Sequence, residues 1–270
     1  MPPVLLITSR DNQTFRYAVS MHNRKKAKAE GLVFIEGVRL CEDALMNGSL
    51  PKMLFFTKDK EVLVSEWEKH FSFSSDCGFF LLPDALFEKL SMTKTPQGIA
   101  LLMEEPIITD NLPKRGQDIY LVCEQISDPG NMGAMIRMAD AFDFTAVLMV
   151  KGTVDPFNEK VLRASMGSVF HIPIVLYEDV EELFSVLKKE DIQLIGTHLK
   201  GESLDTAVFS FPCAFMIGNE AKGMSSTASL GCDMLIKIPM EGKAESLNAS
   251  TAASIVGYEL SRRRRSKTSL

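Results

Sequence analysis

Three separated stretches of this chain gather polar side chains among glycines and prolines: residues 128–140 (DPGNMGAMIRMAD), 215–225 (FMIGNEAKGMS) and 236–260 (IKIPMEGKAESLNASTAASIVGYEL). Asn131 can donate and accept hydrogen bonds at once. Arg137, six residues further on, carries a permanent charge and a fork of N–H donors. It suits the steadying of an anion or a hydroxyl, because its pKa makes it a poor proton acceptor. Glu220 places a carboxylate in a GNEAKG turn, and Ser246 and Asn248 stand where a helix begins. Each residue also has an ordinary use: Asn131 as a helix N-cap, Glu220 in a surface turn, Ser246 and Asn248 as helix-start residues. Metal chemistry is not indicated. Cys41, Cys77, Cys123, Cys213 and Cys232 are odd in number and contain no CxxC, and His22, His70, His171 and His198 show no ligand spacing. The thiols read as buried or incidental in a reducing compartment.

The third stretch reads as a short strand closed by Pro239, a polar turn at Gly242, and a helix opening near Ser246 and Asn248. Its small residues Ala249, Ser250, Ala252, Ala253, Ser254 and Gly257 forgo side-chain burial and favour close approach of a neighbour. Upstream, apolar strands at 118–123, 146–150, 172–176, 192–197, 213–217 and 234–238 alternate with helices at 128–142, 158–166 and 180–190. That alternation predicts a parallel sheet covered on both faces, with ligands at the carboxyl ends of the strands. A GxGxxG dinucleotide fingerprint is absent.

The first hundred residues read as a second, smaller α/β unit. A basic helix over 12–30 ends at Gly31, and strands at 32–36, 52–57 and 78–82 alternate with helices at 38–46, 61–70 and 84–90. Residues 104–117 (EEPIITDNLPKRGQ) read as the connection. The expected organisation is a domain over 1–104, a linker over 105–117 and a second domain over 118–270.

The 270 residues are 46% hydrophobic and 24% charged, a globular composition. No apolar run approaches the ~20 residues that cross a bilayer, and MPPVLLITSRD is too short for a secretory signal. A cytoplasmic protein without a membrane partner is expected. The net charge of −5 is uneven. Arg16, Arg24, Lys25, Lys26 and Lys28 crowd the first basic segment and Arg262, Arg263, Arg264 and Arg265 the last, which favours phosphate contact over simple solvation.

The three polar stretches, in this order and at these separations, resemble the three motifs of the SpoU (TrmH-like) RNA 2'-O-ribose methyltransferases of the knotted SPOUT superfamily. The resemblance covers the whole chain and is most specific in the C-terminal half. It implies a parallel-sheet α/β catalytic domain with a trefoil knot, preceded by a small α/β RNA-binding domain similar to RNA-binding ribosomal-protein folds. Glu36-Gly37-Val38-Arg39 and Thr95-Pro96-Gln97-Gly98 match that module's signposts. The implied cofactor is S-adenosyl-L-methionine, bound mainly through backbone of loops that here contain Thr197, His198 and Leu199; Ile217, Gly218 and Asn219; and Ile238, Met240 and Leu247.

The resemblance further implies that Arg137 accepts or organises the proton of the ribose hydroxyl, with orientation and charge stabilisation equally compatible with its chemistry. Asn131 would fix the arginine or the ribose, Glu220 would orient active-site groups, and Ser246 and Asn248 would shape the cofactor loop and support Arg137. Ala221 and Asp143 stand where the family often has glycine, but neither departure removes a polar position. The implied protein is a homodimer with ribosomal RNA favoured over transfer RNA as partner. A catalytically silent RNA-binding factor is the rival reading, but it would be expected to have lost Asn131, Arg137, Glu220 or Asn248.

Overall fold

The computed structural model describes residues 3–106 and 111–268, the side chain of Thr268 excepted. Residues 107–110 of the expected linker, Met1 and Pro2 of the N-terminal apolar stretch and the last two residues lie outside the described residues. The chain divides into two compact units, Met1–Ile107 and Ile108–Leu270.

The first unit runs β1 (Val4–Leu6), α1 (Gln13–Ser20), α2 (Arg24–Ala29), β2 (Leu32–Glu36), α3 (Val38–Met46), β3 (Pro51–Phe56), α4 (Glu61–His70), β4 (Gly78–Leu81), α5 (Asp84–Leu90) and β5 (Ile99–Glu104). The sheet order is β1-β4-β3-β5-β2, with β5 antiparallel to both neighbours and the other pairs parallel. Phe34, Phe55, Phe80 and Phe87 fill its core, and the Phe55 and Phe80 rings stack at 5.2 Å. The single helix expected over 12–30 is two. Asn23 interrupts it, its side chain accepting from Lys26 N at 3.1 Å as a fresh N-cap. β1 and β5 were not foreseen. Both are short apolar runs without the alternation that marks a strand, and β5 takes up the start of the region read as linker.

The second unit runs β6 (Ile119–Cys123), α6 (Pro129–Ala141), β7 (Ala146–Val150), α7 (Glu159–Ser165), β8 (Ile174–Tyr177), α8 (Val180–Lys189), β9 (Gln193–Ser203), β10 (Cys213–Ile217), α9 (Ser226–Gly231), β11 (Met234–Lys237) and α10 (Ala249–Thr268). Its sheet is parallel throughout, in the order β11-β9-β10-β6-β7-β8. Every residue of the central strands β6, β7 and β10 is buried, as a sheet covered on both faces requires. The short helix α9 is an addition to the expected elements. The segment before β6 packs onto this unit: Asp118 is buried and accepts from Arg115 N at 2.8 Å, Gly116 N at 3.1 Å and Thr145 Oγ1 at 2.7 Å.

β11 lies at the sheet edge, three places from β6, yet α10 returns to pack on α6. A Cβ on Gly257 would stand 2.5 Å from the Met138 sulfur, so a larger residue there would have to displace the Met138 side chain. The small-residue face is thus spent within the chain, with Ala253 and Gly257 buried. The terminal arginines are not a tail. They continue α10, where Arg262 and Arg263 pair with Glu259, Arg263 donates to the Leu204 carbonyl at 2.9 Å, and Arg264 donates to that of Asp143 at 2.9 Å.

Candidate active site

A cleft of about 520 Å³ opens along the middle of β9 and at the carboxyl ends of β10 and β11, bounded on one side by the start of α10. Its first wall is a break in the β9 ladder. Ile195 and Gly196 pair with Met234 and Leu235, whereas Glu202 and Ser203 pair with Ile236 and Lys237, so residues 197–201 bulge outward. A Cβ on Gly201 would come within 2.6 Å of the Ile236 backbone, and glycine alone lets the strand rejoin there. The second wall is the turn after β10. Gly218 packs so tightly that a Cβ would meet Met224 N at 2.2 Å, and Asn219 bridges to Gly223. The third wall comes from residues 238–247. All nine residues assigned to the cofactor, Thr197, His198, Leu199, Ile217, Gly218, Asn219, Ile238, Met240 and Leu247, line this one cleft.

Several polar side chains of the cleft are already engaged. Thr197 Oγ1 donates to the Met216 carbonyl at 2.9 Å, His198 Nδ1 accepts from Lys200 N at 3.1 Å, and Asn219 Oδ1 accepts from Ala221 N at 3.0 Å. Leu199 and Met240 meanwhile leave apolar surface open, at 66% and 37% exposure. Apolar walls edged by main chain, in a volume within the ~300–1,000 Å³ of small-molecule sites, suit a purine whose edge pairs with backbone. The residues present therefore fit S-adenosylmethionine.

Beside the cleft the three polar stretches join through hydrogen bonds. Asp128, with Pro129 after it, opens α6: its side chain accepts from Asn131 N at 2.8 Å, so Asp128 and not Asn131 is the N-cap. Asn131 is nine-tenths buried and spends both ends of its amide. Its Nδ2 donates to Glu220 Oε1 at 3.1 Å, and its Oδ1 accepts from Asn248 Nδ2 at 2.9 Å. Asn248 Oδ1 in turn accepts from Ser250 N at 2.9 Å and Thr251 N at 3.2 Å, capping α10. Capping and network membership are therefore one function of Asn248.

Glu220 also accepts from Asp128 N at 3.0 Å, Ser127 N at 3.2 Å and Ser127 Oγ at 2.9 Å. Burial pushes its pKa up, but the hydrogen bonds from Asn131 and from backbone N–H groups, including those of Asp128 and Ser127, outweigh this and bring it down to about 2. The carboxylate is ionised at neutral pH and organises the turn that starts α6.

Ser246 is exposed on the cleft wall. Arg137 stands apart, about 9 Å along α6 from Asn131 and about 120° around it by helix geometry. It is exposed. Asn248 bonds Asn131, a residue of the helix that carries Arg137. Ser127 and Asp128 were missed by sequence reasoning. The Asp-Pro helix-start signature could have revealed Asp128, whereas nothing local marks Ser127. Among the described residues no three His, Cys, Asp or Glu side chains are grouped to hold a metal ion.

In the first unit the basic residues separate. Arg24 is largely buried, pairs with Glu105 at 2.6 Å and donates to the Leu32 carbonyl at 3.3 Å, so it is a structural residue. Lys26 bonds Ser20 Oγ at 2.7 Å and lies over the Tyr17 ring. Arg16, Lys25 and Lys28 are exposed. The two signpost sequences meet: Gln97 accepts from Val38 N at 2.9 Å, and Glu36 accepts from Ser91 Oγ at 2.8 Å and Met92 N at 2.6 Å.

The parallel-sheet unit with this cleft, joined to a separate α/β unit, defines a two-part α/β protein with a cleft of small-molecule size. Residues 118–258 match the SpoU rRNA Methylase family and residues 12–101 the MRM3-like substrate binding domain. The chain belongs to the SpoU rRNA methylase family. It is 32% identical over 94% of its length, and 98% of the relative's, to the 23S rRNA (guanosine(2553)-2'-O)-methyltransferase RlmP of Bacillus subtilis (strain 168). Among solved structures it resembles the AdoMet-bound rRNA methyltransferase of Sinorhizobium meliloti, with TM-score 0.83 and 28% identity over 96% of this chain and 98% of that one. The SpoU methyltransferase AviRb of Streptomyces viridochromogenes, in complex with AdoMet, aligns with TM-score 0.84 and 27% identity over 94% and 99%.

Proposed function

We propose that this protein transfers a methyl group from S-adenosylmethionine to the 2'-hydroxyl of a ribosomal RNA nucleotide. The single observation that carries the reading is the bonded series Glu220–Asn131–Asn248, which ties together three sequence-distant stretches beside a cleft suited to the cofactor. The cofactor supplies an electrophilic methyl group when bound. Thr197 to Leu199, Ile217 to Asn219, Ile238, Met240 and Leu247 would hold it. Glu220 and Asn131 fix the start of α6 and with it the position of Arg137. Arg137 orients the ribose hydroxyl and steadies the negative charge it gains, a role that its permanent charge suits better than proton abstraction.

In this reading residues 1–104 form the RNA-recognition domain, 105–117 the linker and 118–270 the catalytic domain. Arg16, Lys25 and Lys28 contact RNA phosphates, whereas Arg24 holds the domain together. The passage from β11 back to α6 across β9 and β10 is consistent with a trefoil-threaded chain. The enzyme works as a cytoplasmic homodimer. The outward stripe of α10, where Thr251, Ile255, Tyr258 and Arg262 fall on one face and all four are exposed, supports that assembly better than the small-residue face does. Incubating the protein with unmodified 16S and 23S rRNA transcripts and labelled S-adenosylmethionine tests the activity. Label in a 2'-O-methylnucleoside after digestion is expected; label on a base, or none, overturns it.

A further inference from the structure

The exposed face of α6 around Arg137 is a strip bordered on both sides. At about 100° per residue, Gly133, Arg137 and Asp140 fall within about 60° of one another. α10 borders one side, where Gly257 meets Met138. The other border is the segment that follows α7, and two contacts pin it along the helix. At one end a Cβ on Gly133 would lie 2.5 Å from the Ala164 Cβ and 2.9 Å from Ser165 N, so the end of α7 touches α6 backbone to backbone. At the other end His171 Nδ1 and Asp140 Oδ2 are 2.9 Å apart. Between the pins residues 168–170 pack on α6, the helix that carries Arg137 one turn beyond Gly133.

The first residue of that passage is anomalous. Met166 closes α7 in a left-handed conformation, with φ 51°, its N–H donating to the Arg163 carbonyl. Helix ends of this kind use glycine or asparagine, because a bulky side chain there strains the backbone. The next residue is Gly167, with φ 92°, so the turn already holds a glycine one place later. Met166 is nevertheless kept where glycine would relieve the strain, and 42% of its surface is exposed. An exposed thioether does not repay that strain by burial within the chain. Met166 follows Ser165, which meets α6 at Gly133, one helical turn before the exposed Arg137; a flexible, polarisable side chain on that turn suits a flat aromatic ligand carrying a phosphate or a ribose.

We infer that Met166 is a specificity-determining contact for the acceptor nucleotide: it packs against the unpaired base of the RNA residue whose ribose Arg137 holds. The inference rests on the methyl-transfer reading above and adds a base subsite to it. A single strand laid along this strip places its sugar over Arg137 and its base against the Met166 turn, with the His171–Asp140 pair fixing the turn's far end. Met166 lines neither the cofactor cleft nor the Glu220–Asn131–Asn248 series.

The test uses Met166→Ala and Met166→Gly in the full chain, with Met166→Phe as the conservative partner. The assays are filter binding of unmodified 23S rRNA transcript, steady-state methyl transfer, S-adenosylmethionine affinity, thermal unfolding and light scattering. The alanine and glycine variants are expected to raise KM for RNA and weaken RNA binding about 5- to 20-fold, the loss expected for a base contact. Their cofactor affinity should stay within twofold, their mass should equal that of wild type, and the glycine variant should unfold no earlier than wild type. The phenylalanine variant should recover most of the RNA affinity. RNA binding and KM within twofold of wild type in the glycine variant would overturn the inference, as would a change of mass showing that Met166 packs against a second copy. Wild type that binds RNA without transferring methyl would indict the reading of the activity instead, and the binding comparison would still decide the role of Met166.

Discussion

Replacing Glu220 with glutamine removes the charge from the network and leaves its shape. The carboxylate accepts four hydrogen bonds at 2.9–3.2 Å, from Ser127 N, Ser127 Oγ, Asp128 N and Asn131 Nδ2. A glutamine must turn an NH₂ group toward at least one N–H donor. Holding a carboxyl at about 2 instead of its ordinary 4.5 corresponds to about 3 kcal/mol without screening. Glu220 is an exposed residue, so solvent reduces this to about 1–2 kcal/mol. The folded-state pKa is depressed, so the stabilisation is fully present above pH 4.5 and disappears as the pH falls toward 2. Glu220→Gln should therefore lower the stability of the second unit by about 1–2 kcal/mol at pH 7 and pH 5, a drop of about 3–5 °C in Tm. The gap to wild type should shrink progressively between pH 4.5 and pH 3. Reorienting the Asn131 amide should also lower kcat at least tenfold, because both of its hydrogen bonds depend on which way it points. Urea unfolding across that pH range, with methyl transfer at pH 7.5, reads all of this. A stability gap that persists unchanged at pH 3, or full activity in the variant, would refute the reasoning.

Arg137→Ala should reduce methyl transfer at least a hundredfold while S-adenosylmethionine affinity, read by calorimetry, stays within a few-fold; near-normal turnover would remove Arg137 from the mechanism. Arg24→Ala should cost about 2–3 kcal/mol, because it removes the guanidinium from a largely buried ion pair with Glu105 and its bond to the Leu32 carbonyl, and unfolding of the first unit reads it. By contrast, Arg16→Ala with Lys25→Ala should leave Tm unchanged, weaken RNA binding and reduce the salt slope by roughly two counterions; an unchanged slope would move RNA recognition off this helix pair. A fragment of residues 111–270 should fold and bind S-adenosylmethionine yet lose most RNA affinity. It must keep residues 111–117, since Arg115 and Gly116 bond Asp118 and Tyr120 Oη donates to the Pro113 carbonyl at 2.7 Å. Failure to bind cofactor would show that the first unit completes the cleft.

The parallel sheet was readable because fully buried strands leave continuous apolar runs, as in Ile119–Cys123 and Cys213–Ile217. Of the caps, Asn248 was legible as a helix-start residue and caps α10, whereas the cap expected at Asn131 falls to Asp128 three residues earlier. What failed was whatever depends on a distant partner. Arg24 reads as a phosphate contact in a run of basic residues, and only Glu105, eighty-one positions away, makes it structural. Likewise Arg263 belongs to a basic run until the Leu204 carbonyl appears beside it. The cleft residues came from resemblance, since no periodicity marks a five-residue bulge in β9 or a turn closed by Gly218. The Glu220–Asn131–Asn248 series was invisible for the same reason: each member satisfies local capping or turn rules, and its bonds span 89 and 117 residues.

The central claim is ribose methylation of ribosomal RNA. Quantitative mapping of 2'-O-methylation in total RNA, comparing cells that carry the gene with cells that lack it, tests this most directly. The account predicts that one or a few ribosomal RNA nucleotides lose ribose methylation when the gene is absent, and regain it on expression of the wild-type protein but not of Arg137→Ala. Unchanged ribosomal RNA, with the missing methyl group found on a transfer RNA or on a base, would contradict it.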